Sequence, residues 1–273
     1  MSEIIQAAGL SPVDSVLEIG PGVGILTEAL ARTAGSVVAV ELDEQLVSVL
    51  QSKFAASPNV AIVQGDILRM APESLMGGEG GAAYKVVANL PYYITSPILR
   101  HFLEAGRKPS LMVLMVQKEV AQAIAAPPGD MSLLSVSVQF YGVPSIVKYV
   151  PAGDFYPPPK VDSAIVRIEV LERPVVSVDN VDSFFQVVAA GFRNRRKQIH
   201  NALARYFKLE MGEVTACLEQ AGLDRTRRAQ TLALDEWGRL YEVLKEKGCL
   251  AEKKGERRGK KRESRGQNIE SRI

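Results

Sequence analysis

The sequence predicts an α/β fold, in which a parallel sheet covered by helices is followed by a small helical domain. Short apolar segments alternate with amphipathic stretches through the first half of the chain, and that alternation is typical of strands joined by helices. A glycine-rich turn directly follows the first of these segments, as in sheets that bind nucleosides. Beyond Pro174 the apolar residues recur at helical spacing, which indicates a second, helical region.

Five apolar segments predict the strands of the parallel sheet: Ser15–Ile19, Ser36–Glu41, Val60–Val63, Lys85–Ala88 and Leu111–Val116. Two further β-rich segments, Leu133–Tyr141 and Ser145–Val150, lie only a few residues apart. Such close spacing predicts an antiparallel hairpin at the edge of the sheet. A last strand, Ala164–Val170, is expected after the proline-rich segment Phe155–Lys160.

Helical periodicity predicts the helices of the second half: Phe184–Ala190, Arg195–Phe207, Val214–Ala221 and Leu234–Lys245. We therefore expect a sheet domain over residues 1–175 and a helical domain over residues 176–248, with Trp237 in the core of the helical domain. Residues 249–273 combine many charges with few apolar side chains, a composition that predicts a disordered basic tail.

Composition and charge exclude several classes of protein. No apolar run in the chain approaches the roughly 20 residues of a membrane helix, and the first residues lack the layout of a signal peptide, so we expect a cytoplasmic protein without membrane association. Its two cysteines, Cys217 and Cys249, have no metal-ligand spacing, so no metal site is predicted. The net charge of +2 divides into +5 over residues 251–273 and −3 over the rest. Any nucleic-acid surface in the folded part must therefore be local.

A glycine-rich turn follows the first predicted strand. Gly20, Gly22 and Gly24 precede a helix expected to begin near Ile25, and glycines at such a turn let a ligand approach the backbone closely. A dinucleotide-binding loop would carry its third glycine at the place of Ile25, and Pro21 removes an amide that could hold a phosphate. The spacing therefore favours a nucleoside ligand without a pyrophosphate, of which S-adenosylmethionine is the commonest.

Two carboxylates follow the next two predicted strands. Glu41 ends the second strand, where nucleoside-binding α/β folds place an acid that accepts hydrogen bonds from ribose hydroxyls. Asp66 follows the third strand and is placed to accept a hydrogen bond from an adenine amino group. The carboxyl ends of parallel strands share one edge of the sheet, so we expect the turn and both acids to form one cofactor site.

The segment Asn89-Leu90-Pro91-Tyr92 follows the fourth predicted strand and is the most specific motif in the chain. The N6 lone pair of adenine is delocalised into the ring, so this amino group attacks a sulfonium methyl poorly. The side-chain oxygen of Asn89 and the carbonyl of Leu90 can each accept one amino hydrogen, which exposes the lone pair for in-line attack. Pro91 fixes the turn, and Tyr92 offers a stacking face for the extracted base. Phe155 can stack on the other face of the base or on its neighbour.

These motifs, in this order, resemble the KsgA/RsmA family of ribosomal RNA adenine N6,N6-dimethyltransferases. The resemblance covers about residues 1–247 and rests on these segments: Glu18–Gly24, Glu41, Gln64–Asp66, Asn89–Tyr93, Phe155–Ser163, Phe192–Lys197 and Arg228–Leu232. It implies a Rossmann-like methyltransferase domain that uses S-adenosylmethionine, and a helical domain that docks on RNA. It further implies dimethylation of two adjacent adenines near the 3′ end of small-subunit (16S) rRNA during ribosome assembly. We expect a monomer whose partner is that rRNA within a pre-ribosomal particle.

The same motifs define the predicted site. The predicted catalytic residues are Asn89, Leu90, Pro91, Tyr92 and Phe155. The predicted cofactor-binding residues are Glu18, Gly20, Gly22, Gly24, Glu41, Leu42, Asp66, Ile67 and Asn89. Family members usually carry a basic segment containing Gly-Gln-Asn-Phe-Leu ahead of the helix that here is expected to start at Ser2. This sequence lacks that segment, so we expect a truncated start and weaker cofactor binding.

Two basic clusters lie in the predicted helical half, one at a helix start and one further along the chain: Arg193, Arg195, Arg196 and Lys197, then Arg225, Arg227 and Arg228. Positive charge at a helix N-terminus opposes the helix dipole, so local stability does not explain the first cluster. Contacts with RNA phosphates would explain both clusters. A solvated polar surface remains the alternative.

Other functions fit part of the pattern. An adenine methyltransferase of the macrolide-resistance type, which acts on large-subunit rRNA, shares nearly every motif. A non-catalytic nucleic-acid-binding factor on the same fold is disfavoured because Asn89, Tyr92 and both acids are present. A DNA adenine methyltransferase usually has proline in place of Leu90, and an NAD-linked dehydrogenase fits neither the glycine spacing nor the motif at Asn89.

Overall fold

The computed structural model describes residues 2–77, 83–194 and 196–250. Arg195 and residues 251–273, which make up nearly all of the predicted basic tail, lie outside the described residues. The described chain folds as a mixed sheet with helices on both faces, followed by a run of helices. This is the α/β, Rossmann-like fold class that the sequence predicts.

The strands of the described chain form a seven-stranded sheet: β1 (Ser15–Ile19), β2 (Ser36–Glu41), β3 (Val60–Gln64), β4 (Tyr84–Asn89), β5 (Leu111–Gln117), β6 (Gly142–Val150) and β7 (Ser163–Val170). Their spatial order is β3-β2-β1-β4-β5-β7-β6. Strands β1 to β5 run parallel, whereas β7 runs antiparallel to both of its neighbours, β5 and β6. The five predicted parallel strands and the predicted last strand are confirmed.

Helices cover the sheet and continue beyond it: α1 (Ser2–Ala8), α2 (Ile25–Ala31), α3 (Glu44–Lys53), α4 (Pro72–Leu75), α5 (Thr95–Leu103), α6 (Lys118–Ile124), α7 (Leu133–Gln139), α8 (Val181–Phe192), α9 (Ile199–Phe207), α10 (Met211–Gln220) and α11 (Leu234–Glu246). Short 3₁₀ turns span Ile67–Arg69, Tyr92–Ile94, Ala152–Asp154 and Ala229–Thr231. The helix starts predicted at Ser2 and near Ile25 are confirmed. In the described ranges, no helix combines the length and the apolar character needed to cross a bilayer.

The strand predicted over Leu133–Tyr141 is wrong, because most of this segment forms helix α7. Apolar residues alternate along it, but α7 packs against α5, α6 and α8, so its apolar side chains occupy more than one face of the helix. Ser132 and Ser135 also close a capping box: the Ser132 hydroxyl accepts a hydrogen bond from the Ser135 backbone N–H at 3.3 Å, and the Ser135 hydroxyl accepts one from the Ser132 N–H at 2.5 Å. Such a box favours a helix start. The hairpin at this edge of the sheet joins β6 to β7 instead.

The helix predicted over Arg195–Phe207 begins later, at Ile199. The backbone N–H of Lys197 donates to the carbonyl of Asn194 at 2.8 Å, which forms a turn between α8 and α9. Ile199 then donates its N–H to the carbonyl of Arg227 at 2.8 Å. The described members of the first basic cluster, Arg193, Arg196 and Lys197, therefore lie in the connection between two helices rather than on the first turn of α9.

A buried core continues from the sheet into the helical half. Phe140, which follows α7, stacks on Phe184 of α8 with ring centroids 4.9 Å apart. Trp237 of α11 is buried, as the sequence predicts, and lies beside Phe192 at the end of α8. Helices α1 and α2 pack on the opposite face of the sheet. The helical half is therefore joined to the face of the sheet that α5 and α7 cover.

The strand directions gather several chain segments at one edge of the sheet. The carboxyl ends of β1 to β4 share this edge because these strands are parallel. Since β7 is antiparallel to β5, its first residue, Ser163, lies at the same edge, paired with Gln117 at the end of β5. In open α/β sheets this is the edge at which ligands bind.

Candidate active site

The glycine turn after β1 has a backbone that glycine alone adopts readily. Gly22 and Gly24 have φ angles of 58° and 79°, in the left-handed region that costs other residues free energy. A Cβ atom at Gly24 would also lie 2.8 Å from Leu50 Cδ2 and 2.9 Å from Phe54 Cε2. The end of α3 therefore packs directly against the turn, and a side chain at Gly24 would push the turn out of place.

Glu41, the last residue of β2, holds the glycine turn from the side. Its Oε2 accepts a hydrogen bond from the backbone N–H of Gly22 at 3.2 Å, and its Oε1 accepts from Leu42 at 2.8 Å and from Asp43 at 3.1 Å. These three bonds occupy most of the roughly four acceptor positions of a carboxylate. Glu41 thus supports the backbone of the site, and it keeps limited capacity for a ligand.

Glu18 is a buried carboxyl directly before the glycine turn. It is 1% exposed, and neither of its oxygens makes a hydrogen bond of acceptable geometry within the described chain. Burial raises the pKa of Glu18 to about 7; the Thr27 hydroxyl acts against this rise in pKa, and the negative charge of Glu41 adds to it. Buried polar groups without partners are rare and costly in proteins. The carboxyl of Glu18 is therefore suited to a ligand group that carries hydrogen-bond donors and positive charge.

Asp66 follows β3 and caps the short turn Ile67–Arg69. Its Oδ1 accepts a hydrogen bond from the N–H of Leu68 at 3.1 Å, and its Oδ2 lies 3.3 Å from Nε of Arg69. Ile67 is buried below it, whereas Leu42 at the end of β2 is 67% exposed. The predicted cofactor residues at the ends of β2 and β3 therefore offer two carboxylates, Glu41 and Asp66, and one exposed apolar side chain, Leu42, at the same edge of the sheet.

Asn89 ends β4, and its side chain is exposed. Within the described part of the chain the Asn89 amide makes no side-chain hydrogen bond. Its neighbour Leu90 is buried and donates its N–H to the carbonyl of Met115 in β5 at 3.1 Å. Pro91, with φ −56° and ψ 131°, then leads into the turn Tyr92–Ile94. The buried Leu90 anchors the segment, and the amide of Asn89 stays available to a ligand.

Two aromatic segments flank Asn89. The Tyr92 hydroxyl lies 2.9 Å from Oγ of Ser163 at the start of β7. Phe155 is half-buried in the connection between β6 and β7 and packs against the core that contains α1. Next to them, Tyr93 is 83% exposed and Tyr156 is fully exposed. The edge of the sheet therefore presents flat rings to solvent on the side of β4 and β7.

The described members of the two basic clusters are adjacent in the helical half. His200 Nδ1 is 2.7 Å from the carbonyl oxygen of Arg225, so the start of α9 touches the segment that carries the second cluster. Arg193 lies over the ring of Tyr206, with its guanidinium carbon 5.7 Å from the ring centroid. The side chains of the other described members, apart from Arg227, are exposed: Arg196, Lys197, Arg225 and Arg228. Because Arg193 follows the last residue of α8, its charge is favourable to that helix.

Arg227 differs from the rest of the cluster because it has partners inside the protein. Its guanidinium forms a two-pronged ion pair with Glu236 at the start of α11, and its Nε donates to the Thr231 hydroxyl at 3.1 Å. The Glu236 carboxylate also accepts the N–H of Ala233 at 2.8 Å. The Arg227 guanidinium holds the pKa of Glu236 below its usual range. Local structure alone therefore accounts for a cation at this position.

Sequence reasoning missed two residues that hold the site in place. Ser163 stood inside a recognised motif, but no role was assigned to it, because its partner Tyr92 is distant in sequence. Lys53, at the end of α3, donates from Nζ to the carbonyls of Val23 and Gly24 at 3.2 and 3.3 Å. No motif marks Lys53, since its position depends on how α3 packs behind the glycine turn.

Comparisons with known proteins agree with this geometry. The family model described as ribosomal RNA adenine dimethylase matches residues 1–246. A protein of Dehalococcoides mccartyi named ribosomal RNA small subunit methyltransferase A is 50% identical over 249 residues, which are 91% of this chain and 85% of that protein. A protein of the same name from Moorella thermoacetica is 44% identical over 250 residues, which cover 89% of this chain and 86% of that one.

Two solved structures are similar over most of the chain. The crystal structure of the 23S rRNA methyltransferase ErmE is 30% identical, with a TM-score of 0.71, and covers 89% of this chain and 96% of its own. A dimethyladenosine transferase from Plasmodium falciparum is 25% identical, with a TM-score of 0.75, and covers 90% of this chain and 95% of its own. The glycine turn, the acids and the Asn89 segment thus occur in a chain that belongs to the ribosomal RNA adenine dimethylase family of methyltransferases.

Proposed function

We propose that this chain uses S-adenosylmethionine to dimethylate the N6 amino groups of two adjacent adenines near the 3′ end of small-subunit rRNA, during ribosome assembly in the cytoplasm. The observation that carries the proposal is Asn89, an exposed amide at the carboxyl end of β4 without a side-chain partner in the described chain. Strand β4 pairs with β1, which leads into the glycine turn. Relatives named small subunit methyltransferase A support the choice of substrate.

The residues around the glycine turn fit S-adenosylmethionine. Its ammonium group would give the buried carboxyl of Glu18 the charged donor that this carboxyl lacks within the described chain. Glu41 would accept from ribose hydroxyls with its remaining capacity, and Asp66 would accept from the adenine amino group. The exposed Leu42 would supply apolar surface for the adenine ring, with the small exposed part of Ile67 beside it. When bound, the cofactor supplies a methyl group that the adjacent sulfonium charge makes electrophilic.

The chain's own residues would prepare the target amino group. In the first transfer Asn89 Oδ1 and the Leu90 carbonyl would accept its two hydrogens and so orient the nitrogen lone pair toward the methyl group. In the second transfer one of these acceptors would hold the single hydrogen that remains. Pro91 fixes the turn that places these two acceptors, while Tyr92 and Phe155 stack on the extracted base or its neighbour. Each transfer would form one N–C bond as the bond between the sulfonium sulfur and the methyl carbon breaks. S-adenosylhomocysteine would leave as the thioether, and one amino proton would pass to solvent. The reaction therefore needs positioning rather than a strong base.

The helical half would dock on the RNA backbone. The exposed cations Arg193, Arg196, Lys197, Arg225 and Arg228 form a surface that suits phosphate contacts, and Arg195 belongs to the same cluster in sequence. We assign the sheet domain to residues 1–175 and the docking domain to residues 176–248. The protein acts as a monomer on rRNA within a pre-ribosomal particle, and the basic tail from residue 249 adds positive charge.

Labelled S-adenosylmethionine and undermodified small ribosomal subunits test the proposal. We expect label in two adjacent dimethyladenosines near the 3′ end of the rRNA, located by nuclease mapping and nucleoside mass spectrometry. Naked small-subunit rRNA serves as a parallel substrate and tests whether the particle is needed. Absence of dimethyladenosine from both substrates contradicts the proposed function.

A second candidate is methylation of large-subunit rRNA, which the similarity to the 23S rRNA methyltransferase ErmE favours. The same assay with large-subunit rRNA separates the two candidates. Label in the large-subunit RNA alone would replace the first proposal with the second.

A further inference from the structure

We propose that Ser163 is a positioning residue for methyl transfer: it fixes the ring of Tyr92, and with its neighbour Asp162 it places both aromatic segments of the target-base site. The inference rests on the proposed function, because it assigns a role to Ser163 within that site. The observation behind it is the contact between the Ser163 and Tyr92 hydroxyls, whose oxygens are 2.9 Å apart.

Ser163 is a rigid point of attachment. It is 1% exposed and pairs with Gln117 at the end of β5 and with Val150 at the end of β6. A residue held between two neighbouring strands has little freedom to move. Tyr92, by contrast, lies on a short 3₁₀ turn at the end of β4. The hydrogen bond therefore restrains the hydroxyl end of the Tyr92 side chain, whose backbone lies on a turn, against the rigid sheet.

The same end of β7 also holds the segment that carries Phe155. The side chain of Asp162 accepts a hydrogen bond from the N–H of Ala152 at 3.0 Å, at the start of the turn that leads to Phe155. The backbone carbonyl of Asp162 accepts from the N–H of Lys118 at 3.0 Å, which ties it to the end of β5. Asp162 and Ser163 thus set the positions of the two predicted stacking segments from one place in the sheet.

A serine at this buried position needs an explanation. The residues that follow it in β7, Ala164 to Val166, are apolar and buried, and alanine would fit the strand equally well. A buried hydroxyl costs free energy unless it is hydrogen-bonded. Here the partner of the Ser163 hydroxyl is the hydroxyl of Tyr92, whose ring the proposed function places against the target base. Fixing that ring before the base arrives lowers the ordering cost of stacking.

A double-mutant cycle tests the inference with Ser163→Ala, Tyr92→Phe and the two together. Single-turnover methyl transfer is measured at saturating RNA and cofactor, because saturation hides binding losses. We expect each single variant to lose about two- to tenfold in rate, the effect of one net hydrogen bond. We expect the double variant to be no slower than the slower single variant, because both changes remove the same contact.

Controls separate positioning from general stability. Ser163→Thr keeps a hydroxyl and should recover most of the rate that Ser163→Ala loses. Ser15→Ala is the matched control. It removes a hydrogen bond between two serine hydroxyls, Ser36 to Ser15 at 3.0 Å, at the amino ends of β1 and β2, far from the proposed site. It should leave the rate unchanged. Affinity for S-adenosylhomocysteine, measured by calorimetry, should be the same in Ser163→Ala and the unmutated chain, which also shows that the variant is folded.

Several results would overturn the inference. They are an unmutated rate in Ser163→Ala, rate losses that multiply in the double variant, or a loss that Ser163→Thr does not recover. Failure of the proposed function looks different, since the unmutated chain itself would then transfer no methyl group to small-subunit rRNA.

Discussion

The two halves of the site differ in how far the free chain completes them. In the cofactor half, formed by Glu18–Gly24, Glu41 and Asp66, most polar groups already have partners: Glu41 alone accepts three backbone N–H groups. In the target half, formed by Asn89–Tyr93, Phe155–Tyr156 and Ser163, Asn89 is exposed, and so are the rings of Tyr93 and Tyr156.

This difference matches the sizes of the two proposed ligands. A small cofactor is bound by groups that are fixed before it arrives. Glu18 is the exception because its carboxyl has no hydrogen-bond partner in the described chain, and the ammonium group of the proposed cofactor would supply one. A large RNA brings flat bases that stack on exposed aromatic rings, so the surface that receives it can remain open. We therefore expect changes in the cofactor half to alter affinity and folding, and changes in the target half to alter the rate of methyl transfer.

The largest effect is expected from Asn89→Ala. Removing one positioned hydrogen-bond partner of the reacting group typically slows catalysis by about 10²–10³. Calorimetry should show that the variant is folded and still binds S-adenosylhomocysteine. Because Asn89 is also a predicted cofactor residue, the loss of affinity should be no more than the roughly tenfold effect of one hydrogen bond, well below the loss in rate. A single-turnover rate equal to that of the unmutated chain would remove Asn89 from the site and favour a non-catalytic RNA-binding factor.

Glu41→Ala tests the cofactor half, where the expected effect is on affinity and stability rather than on the rate of methyl transfer. Losing hydrogen bonds to a charged acceptor costs roughly 1.5–3 kcal/mol, so cofactor affinity measured by calorimetry should fall by about tenfold or more. The melting temperature should fall as well, since Glu41 also holds Gly22 in place. Glu41→Gln keeps the shape and should lose less of both. Unchanged affinity in Glu41→Ala would exclude Glu41 from cofactor binding.

Glu18 should make the stability of the cofactor-free protein depend on pH. Burial raises the pKa of Glu18 from 4.5 to about 7, so between these pH values the folded protein keeps a proton that the unfolded chain has released. Stability contributed by the protonated carboxyl is present below pH 4.5 and is lost as pH rises toward 7. The loss is at most about 1.4 kcal/mol per pH unit.

Denaturant unfolding of Glu18→Gln measures that loss directly. The variant should gain stability relative to the unmutated chain as pH rises from 5 to 7.5, by about 2 kcal/mol. Glu44→Gln, an exposed glutamate at the start of α3, is the matched control and should show no such trend. If the free energy of unfolding depended on pH in the same way in Glu18→Gln and in the unmutated chain, the raised pKa of Glu18 would be contradicted.

The smallest effect is expected in the helical half, from Arg196→Ala combined with Lys197→Ala. Each lost phosphate contact should lower the slope of log affinity against log salt by about 0.7–0.9, measured by filter binding or fluorescence anisotropy with small-subunit rRNA. Arg239→Ala is the control, because Arg239 pairs with Asp235 on α11. An unaltered slope would indicate that Arg196 and Lys197 lie on a solvated surface and do not contact RNA phosphates.

The sequence was sufficient for the parts of the molecule that depend on local pattern. The five parallel strands and the glycine turn follow from apolar segments and glycine spacing. The sequence therefore predicted that the turn and Glu41 lie at one edge of the sheet. The helix α7 could not, because its several buried faces produce the alternation of a strand. Arg227 resembled a phosphate ligand in the sequence, and only the fold reveals its ion pair with Glu236.

The target half was harder to predict because its contacts join distant segments. The bond between Tyr92 and Ser163 depends on the insertion of β7 between β5 and β6. No spacing rule in the sequence specifies that insertion. The motif around Ser163 indicated that the segment matters, but it did not indicate which side chain the serine would meet.

The antiparallel insertion of β7 also sets an order of events during synthesis of the protein. Strands β1 to β4 pair among residues 15–89, so a nascent chain of that length already contains every strand that leads into the cofactor half. The attachment point for Tyr92 leaves the ribosome much later, with Ser163. Pairing over long sequence separations is slow to form, and domains fold progressively as they are synthesised. We therefore expect the maturing chain to complete the part that holds the small molecule before the part that receives RNA.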